Sequence, residues 1–225
     1  MREFLTARFD PESQVGLGLT ISVVIFALAV WALSGLLDAI LDNDTLVLTD
    51  ALVESWFHAN ATPGGLRIFT AITQLGSVVL FVVAVVVAAY LWRRRQMLLL
   101  WNWLGALLGY MLVEYVLKLT VQRPRPQYSA AYLHGRSYSF PSGHTMAATV
   151  CYLLLAYFIA SRPRTTPTVR ITVFVVASVL ILAVALSRLY LGVHYPSDVI
   201  GGMAAGLAWL SVCGATRRIL APRAS

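Results

Sequence analysis

The sequence predicts an all-α fold, an integral membrane bundle of six transmembrane helices with an amphipathic interfacial helix between the first and second spans. Three observations carry this prediction. The 225 residues are 59% hydrophobic and only 12% charged, with a mean hydropathy of +0.75, far from the composition of a soluble domain. Several apolar runs reach the roughly 20 residues needed to cross a bilayer. The basic residues fall mainly in short loops between those runs, so the formal net charge of +7 reads as membrane orientation and a nucleic-acid partner is not expected.

Taken in order, residues 1–16 form a short tail of mixed charge. Leu17–Leu37 is the first span. It is longer than the apolar region of a signal peptide and lacks a small-x-small cleavage site, so a retained helix is expected. Residues 38–67 make the longest segment outside the spans, an outer loop carrying Asp38, Asp42, Asp44, Asp50 and Glu54 and closing on the turn signal Pro63-Gly64-Gly65. Within it, Leu46–Phe57 sets Thr49, Asp50, Glu54 and His58 against a Leu/Val/Trp/Phe face, the spacing of a helix lying in the interface. That helix is either a packing element or a lid over a path for lipid.

Ile68–Trp92 is the second span, stopped by Arg93-Arg94-Arg95, and Met97–Thr120 is the third, with Trp101 and Trp103 as interfacial anchors. A polar, proline-bearing loop covers 121–140. Gly143–Ser161, Val169–Leu186 and Pro196–Thr216 are the remaining spans, the last closed by Arg217-Arg218. The chain 1–225 reads as a single membrane domain. Cys151 and Cys213 lie at different depths, so no disulfide joins them, and no Cys/His spacing resembles a zinc site.

An even number of spans puts both termini on one face. That face collects Arg2, Arg8, Arg93, Arg94, Arg95, Arg162, Arg164, Arg170, Arg217, Arg218 and Arg223. The other holds Arg67, Lys118, Arg123, Arg125, Arg136 and Arg188. The expected arrangement has both termini cytoplasmic and the second face periplasmic or extracellular.

Chemistry gathers on that outer face. Lys118 ends the third span, Pro141-Ser142-Gly143-His144 opens the fourth, Ser187-Arg188 ends the fifth, and His194 to Asp198 opens the sixth. Cations, histidines and a carboxylate at membrane borders are costly to place and mark function. Lys118, Arg125 and Arg188 supply positive charge, two of them as guanidinium forks suited to phosphate oxygens. The unpaired amides of the helix start at Ser142-Gly143 suit an anion, and Gly143 permits close approach. A phosphate site is the reading that uses all of them.

The complete patterns K-x6-RP (Lys118, Arg125, Pro126), PSGH (Pro141–His144) and SR-x5-H-x3-D (Ser187, Arg188, His194, Asp198) resemble the type 2 phosphatidic acid phosphatase family, whose site is shared with the vanadium-dependent haloperoxidases. The resemblance covers spans two to six, making residues 68–216 a phosphatase core. It implies His194 as the nucleophile that forms a phosphohistidine, Asp198 as the carboxylate holding its other ring nitrogen, and His144 as general acid and then base. Lys118, Arg125, Arg188, Ser142 and Gly143 would hold the phosphate oxygens. The substrate would be a lipid phosphate or diphosphate in the bilayer. With no carboxylate cluster for magnesium, neither metal nor other cofactor is expected. His194 should start neutral and His144 charged, which implies a bell-shaped pH profile.

Undecaprenyl diphosphate, phosphatidate, phosphatidylglycerophosphate and lipid A phosphates are the candidate headgroups, and the outward face suits the carrier lipid. A lipid-linked phosphotransferase using the same phosphohistidine is the alternative. A haloperoxidase is disfavoured by the short six-span chain, and a non-catalytic binder by the intact His194, His144 and Asp198. The compact form resembles bacterial members. His58 and His134 read as structural, Glu114 as an i,i+4 partner of Lys118, and Arg123 and Arg136 as loop charges or contacts to a second phosphate.

Overall fold

A computed structural model describes residues 16–127 and 137–220. The tail 1–15, His134, Arg136 and Arg223 lie outside the described residues. All regular structure in the described residues is helical: α1 (Leu17–Leu41), α2 (Thr45–Ala59), α3 (Pro63–Thr73), a 3-10 turn (Gln74–Gly76), α4 (Val78–Arg93), α5 (Met97–Val121), α6 (Gly143–Ala160), α7 (Pro167–Tyr190) and α8 (Pro196–Leu220). Six of the spans these helices make are long and apolar enough to cross a membrane, with α3, the turn and α4 together forming the second. The chain is an integral membrane protein.

The second span differs from the expected continuous helix. It starts earlier, at Pro63, because Thr62 caps the amide of Gly65 at 3.1 Å and proline suits the first helical position. It breaks at Gln74-Leu75-Gly76, a polar and small stretch inside an apolar run. Broken backbone at membrane depth needs new partners. Ser77 Oγ donates to Gln74 Oε1 at 3.0 Å, and Tyr152 Oη donates to the Leu75 carbonyl at 2.6 Å. The fifth span extends to Tyr190, which places Ser187 and Arg188 on the last turn of α7.

α6 is the hub: 61% of its spanning window is buried, against 6% for α1 and for α5. It packs on α5, α7, α8 and the 3-10 turn, while α1 lies against α8 on the outside. Close approach of α8 depends on Gly202 and Gly206, a small-xxx-small pair. A Cβ at Gly202 would come within 2.6 Å of the Ser142 carbonyl, and one at Gly206 within 3.0 Å of Thr149 Cβ. This crossing brings the start of α6 beside the start of α8. Exposed Val24, Leu28 and Trp31 on α1 and Phe81, Val82 and Val86 on α4 are the lipid-facing surface.

α2 is the interfacial helix, capped by Asp44. Its outward face is apolar, with Leu48, Leu52 and Trp56 exposed. Its acidic face turns into the protein instead of toward water: Asp50 is fully buried and Glu54 nearly so. Cys151 and Cys213 are separate buried thiols.

Candidate active site

The tight connection from α7 to α8 builds the centre. Gly192 adopts a positive φ of 61°, a conformation glycine takes freely, and Val193 N–H returns to the Arg188 carbonyl at 3.2 Å. The chain then delivers His194 against the first turn of α8, where Asp198 is buried.

His194 is 2% exposed. Its Nδ1 lies 3.4 Å from Asp198 Oδ2, and its Nε2 lies 3.2 Å from Arg125 Nη1. A guanidinium only donates, so Nε2 carries the lone pair and Nδ1 the proton directed at Asp198. Burial pushes the imidazole down to about 4, although Asp198 opposes that shift, so the ring is neutral near pH 7.

Asp198 is over-determined. Oδ2 accepts from Tyr195 N–H at 2.9 Å and from the Ser139 hydroxyl, and Oδ1 accepts from Arg123 Nη1 at 2.8 Å. Arg123 also donates to Ser197 Oγ at 2.6 Å and to Asp50 Oδ2 at 2.7 Å, with Cζ 4.3 Å from the Tyr195 ring centroid. Asp50 accepts in turn from Ser197 N–H at 3.0 Å and from the Ser197 hydroxyl. Burial alone would lower the Arg123 guanidinium, but Asp198 and Asp50 more than offset it and hold it above its ordinary value. Arg123 is therefore neither a loop charge nor a free phosphate ligand, because two buried carboxylates occupy it.

The cations stand on the other side of His194. Arg125 donates from Nε to the Ser137 carbonyl at 2.8 Å, from Nη2 to Ser137 Oγ at 2.7 Å and from Nη1 to the Val193 carbonyl at 2.9 Å. Those bonds fix its fork beside Nε2. Arg188, 6% exposed, donates from Nη1 to Thr73 Oγ1 at 2.7 Å, while its buried Nε has no partner among the described residues. An unpaired guanidinium N–H at this depth is costly unless an anion meets it. The His144 imidazole makes no hydrogen bond to any described residue and lies within electrostatic reach of Arg188, His194, Lys118 and Arg125.

Two details revise the sequence expectations. The Ser142 amide donates to the Asp198 carbonyl at 2.9 Å and its hydroxyl meets Thr145 Oγ1 at 3.0 Å, so the first amide left for an anion is that of Gly143. Lys118 pairs with Glu114 at 2.6 Å, and a Cβ on Gly143 would overlap the Glu114 carboxylate. The α6 N-terminus thus already faces a carboxylate–lysine pair.

The structure brings His194, Asp198, Arg125, Arg188, Lys118, His144 and the Ser142-Gly143 turn to one end of the bundle. Sequence reasoning missed Asp50, Thr73, Ser139 and Ser197. Only Asp50 left a trace there, as an acidic residue four before Glu54 on an amphipathic helix. His58 is exposed at the end of α2, within electrostatic reach of Glu54. Among the described residues, no three His, Cys, Asp or Glu side chains cluster as metal ligands.

The sequence profile of the PAP2 superfamily matches residues 99–218, more than half of the chain and every motif above. The chain belongs to the PAP2 superfamily. It is 37% identical over 146 residues to phosphatidylglycerophosphatase B of Bacillus subtilis, an alignment covering 63% of this chain and 70% of that one. It is 34% identical over 131 residues to decaprenylphosphoryl-5-phosphoribose phosphatase of Mycobacterium tuberculosis, covering 56% of this chain and 64% of the relative. In structure it matches the transmembrane PAP2-type phosphatidylglycerolphosphate phosphatase of Bacillus subtilis with a TM-score of 0.73 at 27% identity, over 90% of this chain and 98% of the other. The LpxE fold of Aquifex aeolicus matches with a TM-score of 0.51 at 23% identity, over 76% and 93%. This PAP2 member is accordingly a membrane-embedded lipid phosphatase.

Proposed function

We propose that the protein removes a phosphate monoester from the headgroup of a membrane lipid, phosphatidylglycerophosphate first among candidates, through a phosphohistidine on His194 and without a metal. The observation that carries the reading is the state of His194: a neutral ring, its Nδ1 proton aimed at Asp198, its Nε2 lone pair beside Arg125. In the first step Nε2 attacks phosphorus, the bond to the leaving oxygen breaks, and His144 gives that oxygen a proton. In the second step water attacks phosphorus, His144 takes its proton, and the phosphorus–nitrogen bond breaks to release phosphate. Arg125, Arg188 with an Nε that has no partner among the described residues, Lys118 and the Gly143 amide hold the equatorial oxygens as charge spreads over them.

The choice of headgroup rests on the Bacillus subtilis relative, which is 37% identical and whose name is phosphatidylglycerophosphatase B. An outer-leaflet site rests on the arginines Arg93, Arg94, Arg95, Arg162, Arg164, Arg217 and Arg218, all at the opposite end of the bundle. The test is phosphate release by detergent-purified protein, with chelator present, from phosphatidylglycerophosphate, phosphatidate and undecaprenyl diphosphate, beside His194→Ala. The expected result is chelator-resistant release, fastest from phosphatidylglycerophosphate and abolished by the substitution. Loss of activity in chelator overturns the metal-free chemistry. Transfer to an alcohol acceptor in place of release would assign the phosphotransferase.

A further inference from the structure

At the end of the bundle opposite His194, the ends of α4, α6 and α8 and the start of α5 enclose a second cavity of about 470 Å³. Tyr90, Gln96, Phe158, Arg162 and Arg217 line it, with Val86 and Leu155 on the lipid side. Arg162 and Arg217 converge there from different elements. Arg162 lies over the Tyr90 ring at 5.6 Å, and Arg217 over Tyr157 at 5.1 Å and Phe158 at 5.9 Å.

Arg217 Nη1 is shielded from solvent and has no hydrogen-bond partner among the described residues. An arginine that only anchored the helix end would extend its guanidinium into water. Arg217 instead tucks its fork under two aromatic rings and leaves a donor bare, which is costly. No Asp or Glu lines the cavity, and among the described residues none pairs with Arg162 or Arg217. No Asp or Glu falls between Glu54 and Glu114, between Glu114 and Asp198, or after Asp198, and Glu3, Asp10 and Glu12 of the tail lie outside the described residues. The pocket is therefore built by stretches that carry no carboxylate, and what its two cations lack there is an anion.

We infer that this cavity is a second, non-catalytic lipid site that holds the phosphodiester headgroup of an anionic phospholipid from the leaflet opposite the active site. The forks of Arg162 and Arg217 match phosphate oxygens. Tyr90 and Gln96 add polar groups at the headgroup level, and the apolar wall of Val86 and Leu155 continues toward the bilayer, where an acyl chain runs. The bilayer supplies this anion class at this depth.

The test uses full-length protein in an uncharged detergent, titrated with short-chain phosphatidylglycerol and read as bound lipid by native mass spectrometry. An Arg188→Gln background weakens binding at the catalytic end, so that one remaining lipid is counted. Adding Arg217→Gln is expected to raise its Kd by about tenfold or more, the loss of a charged hydrogen bond. Arg162→Gln changes an exposed side chain, which protects the fold, and is expected to raise Kd severalfold. Phosphatidylcholine of equal chain length should bind about tenfold more weakly, for want of net charge. Soluble glycerol phosphate should not displace the lipid. An unchanged Kd in Arg162→Gln/Arg217→Gln, equal binding of phosphatidylcholine, or displacement by glycerol phosphate each overturns the assignment.

Discussion

Replacing Arg123 by glutamine separates a positioning role from phosphate binding. Arg123 meets Asp198 at 2.8 Å, Asp50 at 2.7 Å and Ser197 at 2.6 Å, with both carboxylates fully buried. Removing one partner of a buried ion pair costs about 3–5 kcal/mol, because the remaining charge stays desolvated. Asp198 keeps Tyr195 N–H and the Ser139 hydroxyl, and Asp50 keeps Ser197, so the lower end of that range is expected. The carboxylate that orients His194 is then free to shift. A misplacement of about 1 Å in the attacking group lowers kcat about 100-fold.

KM should change by less than about twofold, a difference of under 0.5 kcal/mol in substrate binding. Initial rates of phosphate release against phosphatidylglycerophosphate concentration give both constants. Arg125→Gln is the control in which KM rises, since that fork stands beside Nε2. Arg123→Lys guards against misfolding: it keeps the charge but serves one carboxylate, and an intermediate kcat is expected. A raised KM with kcat intact in Arg123→Gln would refute the reasoning and make Arg123 a phosphate ligand.

Four further outcomes follow from the same geometry. The rate of phosphohistidine formation should fall along an acid limb near pH 4, the value to which burial lowers His194, and rate–pH profiles with that limb at the ordinary histidine value would contradict a ring held neutral. By linkage, the folded state binds fewer protons at His194 than the unfolded chain between about 6.5 and about 4, so stability falls as pH drops through that window, which denaturation midpoints at each pH check. Thr73→Val strips Arg188 of its 2.7 Å partner and should lower kcat/KM by about tenfold or more without unfolding the protein, read by rates and thermal melting together. Gly202→Ala places a Cβ 2.6 Å from the Ser142 carbonyl and should cost about 1–3 kcal/mol, measured as a lowered midpoint, with activity falling because α6 and α8 carry opposite halves of the site.

The spans were legible because apolar length is a one-dimensional signal, and the boundaries of α5, α6 and α8 fall close to the changes in hydropathy. The motif residues were legible because their spacing fixes which helix end each occupies. The break in the second span was not, since Gln74 and Gly76 look tolerable in an apolar run until Tyr152 is known to satisfy Leu75. Asp50 was hidden for a different reason. Amphipathic spacing tells which residues share a helix face, but not whether that face meets water or a buried guanidinium from a distant loop. Thr73 and Ser139 carry no charge and no motif, and only their contacts with Arg188 and Asp198 mark them.

The buried Asp50 also decides what α2 does. A lid must leave its seat with little loss of free energy, and lids accordingly come from the weakly held parts of a fold. α2 is held by Arg123 and Ser197, and lifting it would strand a carboxylate and a guanidinium that share one network with Asp198. Opening by that route would also disturb the carboxylate behind His194, so the site would be misaligned whenever it was open. The apolar outer face of α2, Leu48, Leu52 and Trp56, rests in the interface while its acidic face braces Arg123. α2 is therefore a strut between the membrane surface and the Arg123–Asp198–His194 network, and the route for a lipid headgroup to His194 has to pass beside it.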